Sequence, residues 1–337
     1  MNLYAHFPFC RRKCTYCALH SRAGSSEAMR ADYINKLASD LSSLDLAPGS
    51  LTTVYFGGGS PAMCDLTPLA PVLRSLMCDT CEFTVELHPL DVSDERMDAL
   101  ASIGVNRISM GVQSLDNSTL AHMGRGYTAE AAEKAFATIR RHYNNAGIDL
   151  IIGYPGDGCD MSGIKGLYSW GMKHCSVYSL ILEDKSIMSR RAADITFPSD
   201  DEVLDKIGEV ADFLASIGLR RYEISNYAAP GFECRHNMSV WLGDDYIGIG
   251  EGAHGRLGLT RTVDGRVAET LTPEEDERER RLFSLRTADG LDTSGHPEWA
   301  ATLDDFANKG LVAKDRTRYR LTRRGTEVCD SILLELL

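Results

Sequence analysis

The hydrophobic and polar positions of this chain follow two alternating patterns over roughly its first two thirds. Short runs rich in β-branched and aromatic residues, which predict buried strands, alternate with longer segments whose apolar residues recur at helical spacing. The series begins with a strand at 3–7 and a helix at 28–44. Its last helix opens with the capping-box sequence Ser199-x-x-Glu202, and a strand at 219–224 closes it.

This alternation predicts an α/β fold in which each parallel strand is followed by a helix. About six units are present, fewer than the eight of a closed TIM barrel, so we expect a partial (β/α)6 barrel. Ligands then belong at the carboxyl ends of the strands. We expect this core over 1–227, a glycine-rich connecting segment over 228–271, and a small winged-helix-like domain over 272–337.

Charge and hydropathy exclude several classes of protein. The 337 residues carry 36 Lys and Arg against 48 Asp and Glu, a formal net charge of −12 that disfavours broad nucleic-acid binding. No apolar run approaches the roughly 20 residues of a membrane span. Because the N-terminus also lacks the pattern of a signal peptide, we expect a cytoplasmic protein.

Three of the ten cysteines stand close together, as Cys10-x3-Cys14-x2-Cys17, directly after the first predicted strand. Thiolates at this spacing in one loop can share a metal centre. Zinc would need a fourth ligand, for which His6 and His20 lack the usual spacing. An iron–sulfur cubane held by three thiolates instead leaves one iron open for another ligand.

The positive charge around this triplet, at Arg11, Arg12 and Lys13, leads us to expect an exposed loop with lowered thiol pKa values. The other cysteines are expected to be structural. They are Cys64, Cys159, Cys175, Cys234 and Cys329, together with the pair Cys78 and Cys81.

The cysteine triplet, with an aromatic residue before its last member, resembles the signature of the radical SAM superfamily. Other segments resemble the coproporphyrinogen oxidase-like branch of that superfamily, and the resemblance covers essentially the whole chain. These segments are YAHFPFC at 4–10, YFGGGSP at 55–61, RISMGVQS at 107–114, DLIIGYP at 149–155 and GIGEGAHG at 248–255.

The resemblance implies a [4Fe–4S] cluster on Cys10, Cys14 and Cys17. The amino and carboxylate groups of S-adenosyl-L-methionine (SAM) would chelate its open iron. The reduced cluster would cleave SAM to methionine and a 5′-deoxyadenosyl radical, with electrons from a donor such as flavodoxin or ferredoxin.

The same resemblance assigns residues to SAM. Gly58, Gly59, Ser60 and Glu86 would line the primary site, and Gln113, Arg125 and Asp149 would line a second SAM-sized site. Tyr4 and Tyr16 would flank the cluster and the adenine of SAM, and His254 would lie close to SAM.

Two members of the branch must be separated, the oxygen-independent coproporphyrinogen III oxidases and the HemW family of heme-binding proteins. The oxidases carry a further cysteine two residues after the triplet, where this chain has Ala18 and Leu19. They also carry a long segment before the first strand, which in this chain begins at Leu3. The segment from Cys234 to Trp241 resembles the HemW motif His-Asn-x-x-Tyr-Trp, except for a valine in place of the tyrosine.

These features favour a HemW-like protein that binds heme or another tetrapyrrole and delivers heme to an acceptor protein. His236 is then the candidate heme ligand, and Arg235 a candidate contact for the heme propionates. A coproporphyrinogen III oxidase, a radical SAM methylase and a homodimer stay open as alternatives.

Overall fold

The computed structural model describes residues 1–158 and 160–337. Cys159, expected to be a buried structural cysteine, lies outside the described residues. No helix of the described part is long and apolar enough to cross a lipid bilayer.

The strands follow one another along the chain as β1 (Asn2–Phe7), β2 (Phe9–Cys10), β3 (Arg22–Ala23), β4 (Leu51–Gly58), β5 (Met77–Leu87), β6 (Arg107–Gln113), β7 (Ala146–Ile152), β8 (His174–Ser179), β9 (Arg220–Arg221), β10 (Asn226–Ala228), β11 (Tyr246–Ile249), β12 (His254–Leu257), β13 (Thr260–Val263), β14 (Arg266–Thr270), β15 (Leu291–Asp292), β16 (Val312–Asp315) and β17 (Arg318–Leu321).

The helices alternate with these strands through the first part of the chain. They are α1 (Glu27–Ser42), α2 (Ala70–Leu76), α3 (Asp94–Ser102), α4 (Asn117–Met123), α5 (Ala129–His142), α6 (Met161–Gly166), α7 (Asp200–Ser216), α8 (Arg235–Trp241), α9 (Pro273–Ser284), α10 (Pro297–Asn308), α11 (Arg323–Glu327) and α12 (Cys329–Leu334). Ser199 caps α7 in a capping box with Glu202, as the sequence predicts.

The main sheet has 12 strands, in the order β14-β13-β12-β11-β1-β4-β5-β6-β7-β8-β10-β9. The strands β1 and β4 to β8 pair in parallel, and β11 adds to β1 in the same direction. Among the described residues β14 and β9 stay separate edges, so the sheet is not closed. The prediction of a partial barrel is therefore confirmed.

Two details of the predicted organisation differ. The strand expected at 219–224 is only the two residues of β9, because β10 occupies the edge of β8 in the antiparallel direction and leaves β9 to pair with β10. The segment 228–271 does not stand apart, since β11 to β14 extend the main sheet. The sheet thus runs across the expected boundary at 227.

Successive side chains along each strand point to opposite faces of the sheet, so the barrel has an apolar face and a polar face. One set of side chains packs against the helices and forms the main core, including Leu3, Val54, Phe83, Ile108 and Leu150. Each fully buried side chain of this kind stabilises the fold by roughly 1.5–3 kcal/mol. The other set is polar and faces the inside of the barrel. It includes Tyr55, Glu86, Arg107, Ser109, Asp149, His174 and Ser176.

The C-terminal part has its own three-stranded sheet, in the order β15-β17-β16. Its separate core contains Leu282, Leu303, Tyr319 and Ile332. The ring of Trp241, at the end of α8, lies 4.6 Å from the Arg286 guanidinium and so connects the motif of α8 with this part.

Candidate cluster and cofactor site

Cys10 ends β2, and the loop from there to β3 carries Cys14 and Cys17. All three thiols line one cavity of about 310 Å³ at the carboxyl ends of the parallel strands. The loop is closed by a hydrogen bond from Cys17 N to Cys14 O at 3.3 Å and is tied to α4 by Thr15 N donating to Met123 O at 3.1 Å. The triplet thus lies where ligands bind in parallel α/β sheets.

A buried carboxylate anchors this loop to the strands beside it. Asp91 accepts hydrogen bonds from Arg11 Nε at 2.6 Å and from Ser60 Oγ at 2.5 Å. Ser60 was predicted to contact SAM, but the structure turns its hydroxyl toward Asp91, and it does not join the residues that line the cavity. Its direct role toward SAM stays a prediction.

The expectation of lowered thiol pKa values is wrong. Burial raises the pKa of Cys10 and of Cys17, and the nearby Lys13 ammonium offsets only part of that effect. Arg11 and Arg12 are exposed as expected, but the cysteines are only half-exposed, and desolvation disfavours a thiolate there.

The donor set nevertheless fits an iron–sulfur cluster. Three thiols face one cavity, and Arg125 Nη1 lies 3.4 Å from Cys14 Sγ. Positively charged donors next to sulfur suit thiolates that ligate iron. Among residues 1–158 and 160–337, no group of three His, Cys, Asp or Glu side chains is close enough to hold one metal ion, whereas the three thiolates of a cubane each bind a different iron.

Two carboxylates face the same cavity from neighbouring strands. Glu86 accepts from Tyr55 OH at 2.8 Å and from the Gly58 backbone N–H at 3.0 Å. Burial, followed by the charge of Asp149, raises the pKa of Glu86 to about 7. Burial also raises the pKa of Asp149, which accepts from Ser109 Oγ at 3.0 Å. These groups are placed to bind an ammonium group or hydroxyls.

The glycines at the end of β4 are required by close packing. Gly58 has φ +105°, and a Cβ at this position would lie 2.5 Å from His6 Cε1. A Cβ on Gly59 would overlap the Phe9 carbonyl oxygen, next to the first cysteine. Both residues line the cavity. Because they have no side chains, the backbone of β4 packs closely against the cysteine loop and also borders the cavity.

The predicted second group of SAM residues gathers around a bulge in β6. Gln113 has φ +74°, in the left-handed region that favours glycine, and the register with β7 shifts between Gly111 and Gln113. Arg125 donates through Nη2 to Gly111 O at 2.5 Å and through Nε to Tyr127 OH at 2.9 Å. Gln113, Arg125, Asp149 and Tyr16 all line the cavity.

Three other predicted residues lie elsewhere. Tyr4 is within the barrel, with its hydroxyl 3.0 Å from His6 Nδ1, and His254 is exposed at the start of β12. His236 is buried, with Nδ1 2.8 Å from Thr53 Oγ1 and its ring 5.1 Å from that of Tyr55. The side chains that line the cavity include none of these three. Their ligand roles stay predictions.

The HemW-like motif forms α8 itself. Glu82 accepts hydrogen bonds from the backbone N–H groups of Arg235 and His236, both at 3.1 Å. A buried carboxylate thus satisfies the first turn of this helix. Within the motif, Asn237 reaches the cavity.

Several cavity residues were missed, among them His88, Arg107, His174 and Tyr178. These residues could have been found from the two-residue period of the strands, which places alternate side chains on the same face. On β6, Arg107 shares a face with Ser109, and His88 follows Glu86 at the same spacing. Burial lowers the pKa of His88 to about 3, with Arg125 and Arg11 adding to the effect.

Comparison with known proteins now decides the family. Residues 4–160 match the model of the radical SAM superfamily. The chain is 30% identical to the heme chaperone HemW of Lactococcus lactis, an alignment covering 100% of this chain and 97% of that protein. It is 32% identical to the heme chaperone HemW of Escherichia coli, covering 87% of this chain and 79% of that protein. The chain belongs to the HemW family.

The fold of this HemW-family chain is similar to that of a solved structure. Coproporphyrinogen III oxidase (HemN) from Escherichia coli superposes with a TM-score of 0.83 over 99% of this chain and 89% of that chain, at 20% identity. At that identity the likeness concerns the fold alone. The radical SAM assignment implies a [4Fe–4S] cluster and SAM in the HemW-family chain.

Proposed function

We propose that this chain binds heme at the mouth of the cysteine-lined cavity and passes it to an acceptor protein. It would hold a [4Fe–4S] cluster on Cys10, Cys14 and Cys17 and SAM in the cavity beside it. The observation that carries the proposal is the similarity, over 87% to 100% of this chain, to proteins named heme chaperones.

An apolar rim at the mouth of the cavity supports this proposal. Leu19, Tyr178 and Ile181 all line the cavity, and they are 55%, 41% and 70% exposed. Exposed apolar surface of this kind is typical of ligand or partner sites, and a porphyrin presents an apolar face to it. Leu19 also occupies the position at which the resembling oxidases carry a further cysteine.

The remaining cavity residues have roles that follow from their chemistry. When bound, the cluster supplies the electron that cleaves the SAM sulfonium bond. The Glu86 carboxylate holds the SAM ammonium, and Asp149 accepts from ribose hydroxyls. Arg125 fixes the cysteine loop against β6. A flavodoxin or ferredoxin would reduce the cluster.

A reducing compartment suits these cysteines. The nine in the described residues are all free thiols, which supports a cytoplasmic location.

In this proposal His236 has a structural role rather than that of heme ligand. Its ring packs between Tyr55 and Tyr4, at 5.1 and 6.4 Å, beneath the cavity. A heme iron could reach it only if the barrel opened. Arg235 is likewise engaged, because it donates to Thr80 O at 2.7 Å.

The test is heme titration of the anaerobically reconstituted protein, followed by absorbance. We expect saturable binding of one heme, weakened in Ile181→Asp. Leu334→Asp is the matched control, because Leu334 is also 70% exposed but lies on α12. Equal heme affinity in wild type and Ile181→Asp would remove the rim from the proposal.

The same preparation distinguishes a heme chaperone from a coproporphyrinogen III oxidase. Incubation with coproporphyrinogen III and SAM should give no protoporphyrinogen IX. Catalytic conversion would instead establish the oxidase alternative.

A further inference from the structure

The floor of the cavity contains a buried arginine without a carboxylate partner. Arg107, on β6, is 1% exposed and lines the cavity. Within the described residues it forms no ion pair. Its one hydrogen bond runs from Nη1 to Thr84 Oγ1 at 3.5 Å, and its Nε has no partner. A buried guanidinium in this state is costly, and a bound anion would relieve the cost.

A second unpaired nitrogen lies on the same inner face of the barrel. His174, on β8, is also 1% exposed and lines the cavity, and its Nδ1 has no partner. Its Nε2 lies 2.8 Å from Tyr222 OH, and that hydroxyl accepts from Cys234 N at 3.2 Å.

The state of His174 follows from these contacts. Because the Tyr222 oxygen already accepts from Cys234 N, its O–H is free to donate to His174 Nε2. Burial, with the charge of Arg107, lowers the pKa of His174 and keeps the ring neutral. In the tautomer that accepts from Tyr222 O–H at Nε2, the ring proton is on Nδ1, and this nitrogen is then a second N–H donor at the floor.

The acids nearest to this floor are already engaged. Glu82 accepts from the first backbone N–H groups of α8. Glu86 is bonded to Tyr55 and Gly58, and Asp149 to Ser109. None of these three carboxylates hydrogen-bonds to Arg107, although Glu82 lies close enough for its charge to interact with the guanidinium. Within the described residues Arg107 therefore has no hydrogen-bonded counterion.

We propose that Arg107 and His174 bind a carboxylate of a ligand at the floor of the cavity. By the family resemblance, the carboxylate of SAM belongs on the iron at the opposite end, so this carboxylate comes from a second molecule. It is either a free small acid or the carboxylate arm of a larger ligand. The inference stands independently of the heme proposal.

The first test uses ¹³C-labelled propionate with the full-length reconstituted protein, and propionamide as the neutral isostere. We expect saturable shifts of the carboxylate resonance with propionate and none with propionamide. Arg107→Met should weaken propionate binding by at least about tenfold, the loss expected for a charge-assisted hydrogen bond. His174→Phe should weaken propionate binding less. It is the variant to test if Arg107→Met does not fold.

Stability distinguishes this role from a structural one. Replacing a buried charge that has no hydrogen-bonded counterion with an apolar residue of similar volume should leave the unfolding midpoint unchanged or raise it. Arg256→Met is the control, because Arg256 is similarly buried but pairs with Asp276, so its loss should lower the midpoint. A lower midpoint for Arg107→Met with unchanged propionate binding would overturn the proposal.

Two further outcomes are decisive. Failure of propionate to bind the wild type would mean that the floor holds only water, and the proposal would be wrong. If propionate binds, comparing heme with its dimethyl ester identifies the source. A preference for the free acid that disappears in Arg107→Met assigns the carboxylate to an arm of the larger ligand, and equal affinities assign the site to a small acid.

Discussion

The Arg125 guanidinium donates to the Cys14 thiol, with Nη1 3.4 Å from Sγ, while its Nη2 donates to Gly111 O on β6. One side chain thus joins the cysteine loop to the bulge that positions Gln113. Hydrogen bonds and positive charge next to a ligating sulfur stabilise the reduced, more negative state of a cluster.

Arg125→Met should therefore make the cluster harder to reduce. We expect its potential to fall by roughly 60 mV, the one-electron equivalent of a tenfold change in the equilibrium constant. Arg125→Lys keeps the charge and should show a smaller shift. Potentiometric titration followed by electron paramagnetic resonance measures both, and an unchanged potential in Arg125→Met would contradict this role.

The pKa of Glu86, raised to about 7 by burial, predicts a pH dependence of SAM binding. An ionised carboxylate attracts the SAM ammonium and a protonated one does not. Affinity should consequently rise with pH, by about tenfold between pH 6 and 8 as the ionised fraction increases. Equilibrium dialysis with labelled SAM measures this change.

Glu86→Gln supplies the control, because it cannot ionise. Its SAM affinity should be low and should not vary over the same pH range. A pH profile that persists in Glu86→Gln would assign the titration to another group.

Asp91 is expected to hold the cluster in place although it does not ligate it. Asp91→Ala would leave Arg11 and Ser60 without their shared acceptor and should destabilise the fold by about 1–3 kcal/mol. It should also speed the loss of iron to a chelator. Asp94→Ala removes an exposed pair with Arg141 and should leave the stability nearly unchanged. Similar iron-loss rates in both variants would show that Asp91 does not secure the loop.

Much of this site was predictable because it depends on local sequence. Cys10, Cys14 and Cys17 lie in one loop, and Glu86 and Asp149 lie on predicted strands whose carboxyl ends meet. Residues whose position depends on side-chain direction or distant contacts were not predictable in the same way. The hydroxyl of Ser60 turns to Asp91, and His236 is buried beneath the cavity because Glu82 holds the start of α8.

Gly58 offers a test of steric fit at the end of β4. Gly58→Ala combines a left-handed φ of +105° with a Cβ 2.5 Å from His6 Cε1, so we expect a loss of stability of about 1–3 kcal/mol and weaker SAM binding. Gly156→Ala is matched, since its φ is +71° and a Cβ there meets nothing within 4 Å. Equal losses in chemical denaturation would show that contact with His6 is unimportant.

His236 provides the last prediction, because its two proposed roles give opposite results. Burial, with the charge of Arg107, lowers its pKa from 6.5 to about 4, so the unfolded chain binds more protons than the folded chain between these values. Stability should therefore fall as the pH drops from about 6.5 to about 4, with up to about 3 kcal/mol due to His236.

His236→Phe keeps an aromatic ring against Tyr55 and removes this titration. In denaturant unfolding, the stability of the variant should fall less than that of the wild type as the pH drops, and the difference is the contribution of His236. This comparison separates His236 from the other buried histidines. If the residue is structural, the folded variant still binds heme at pH 7 with an unchanged absorption spectrum. Loss of the heme spectrum in a folded His236→Phe protein would instead establish His236 as the ligand and require the barrel to open around it.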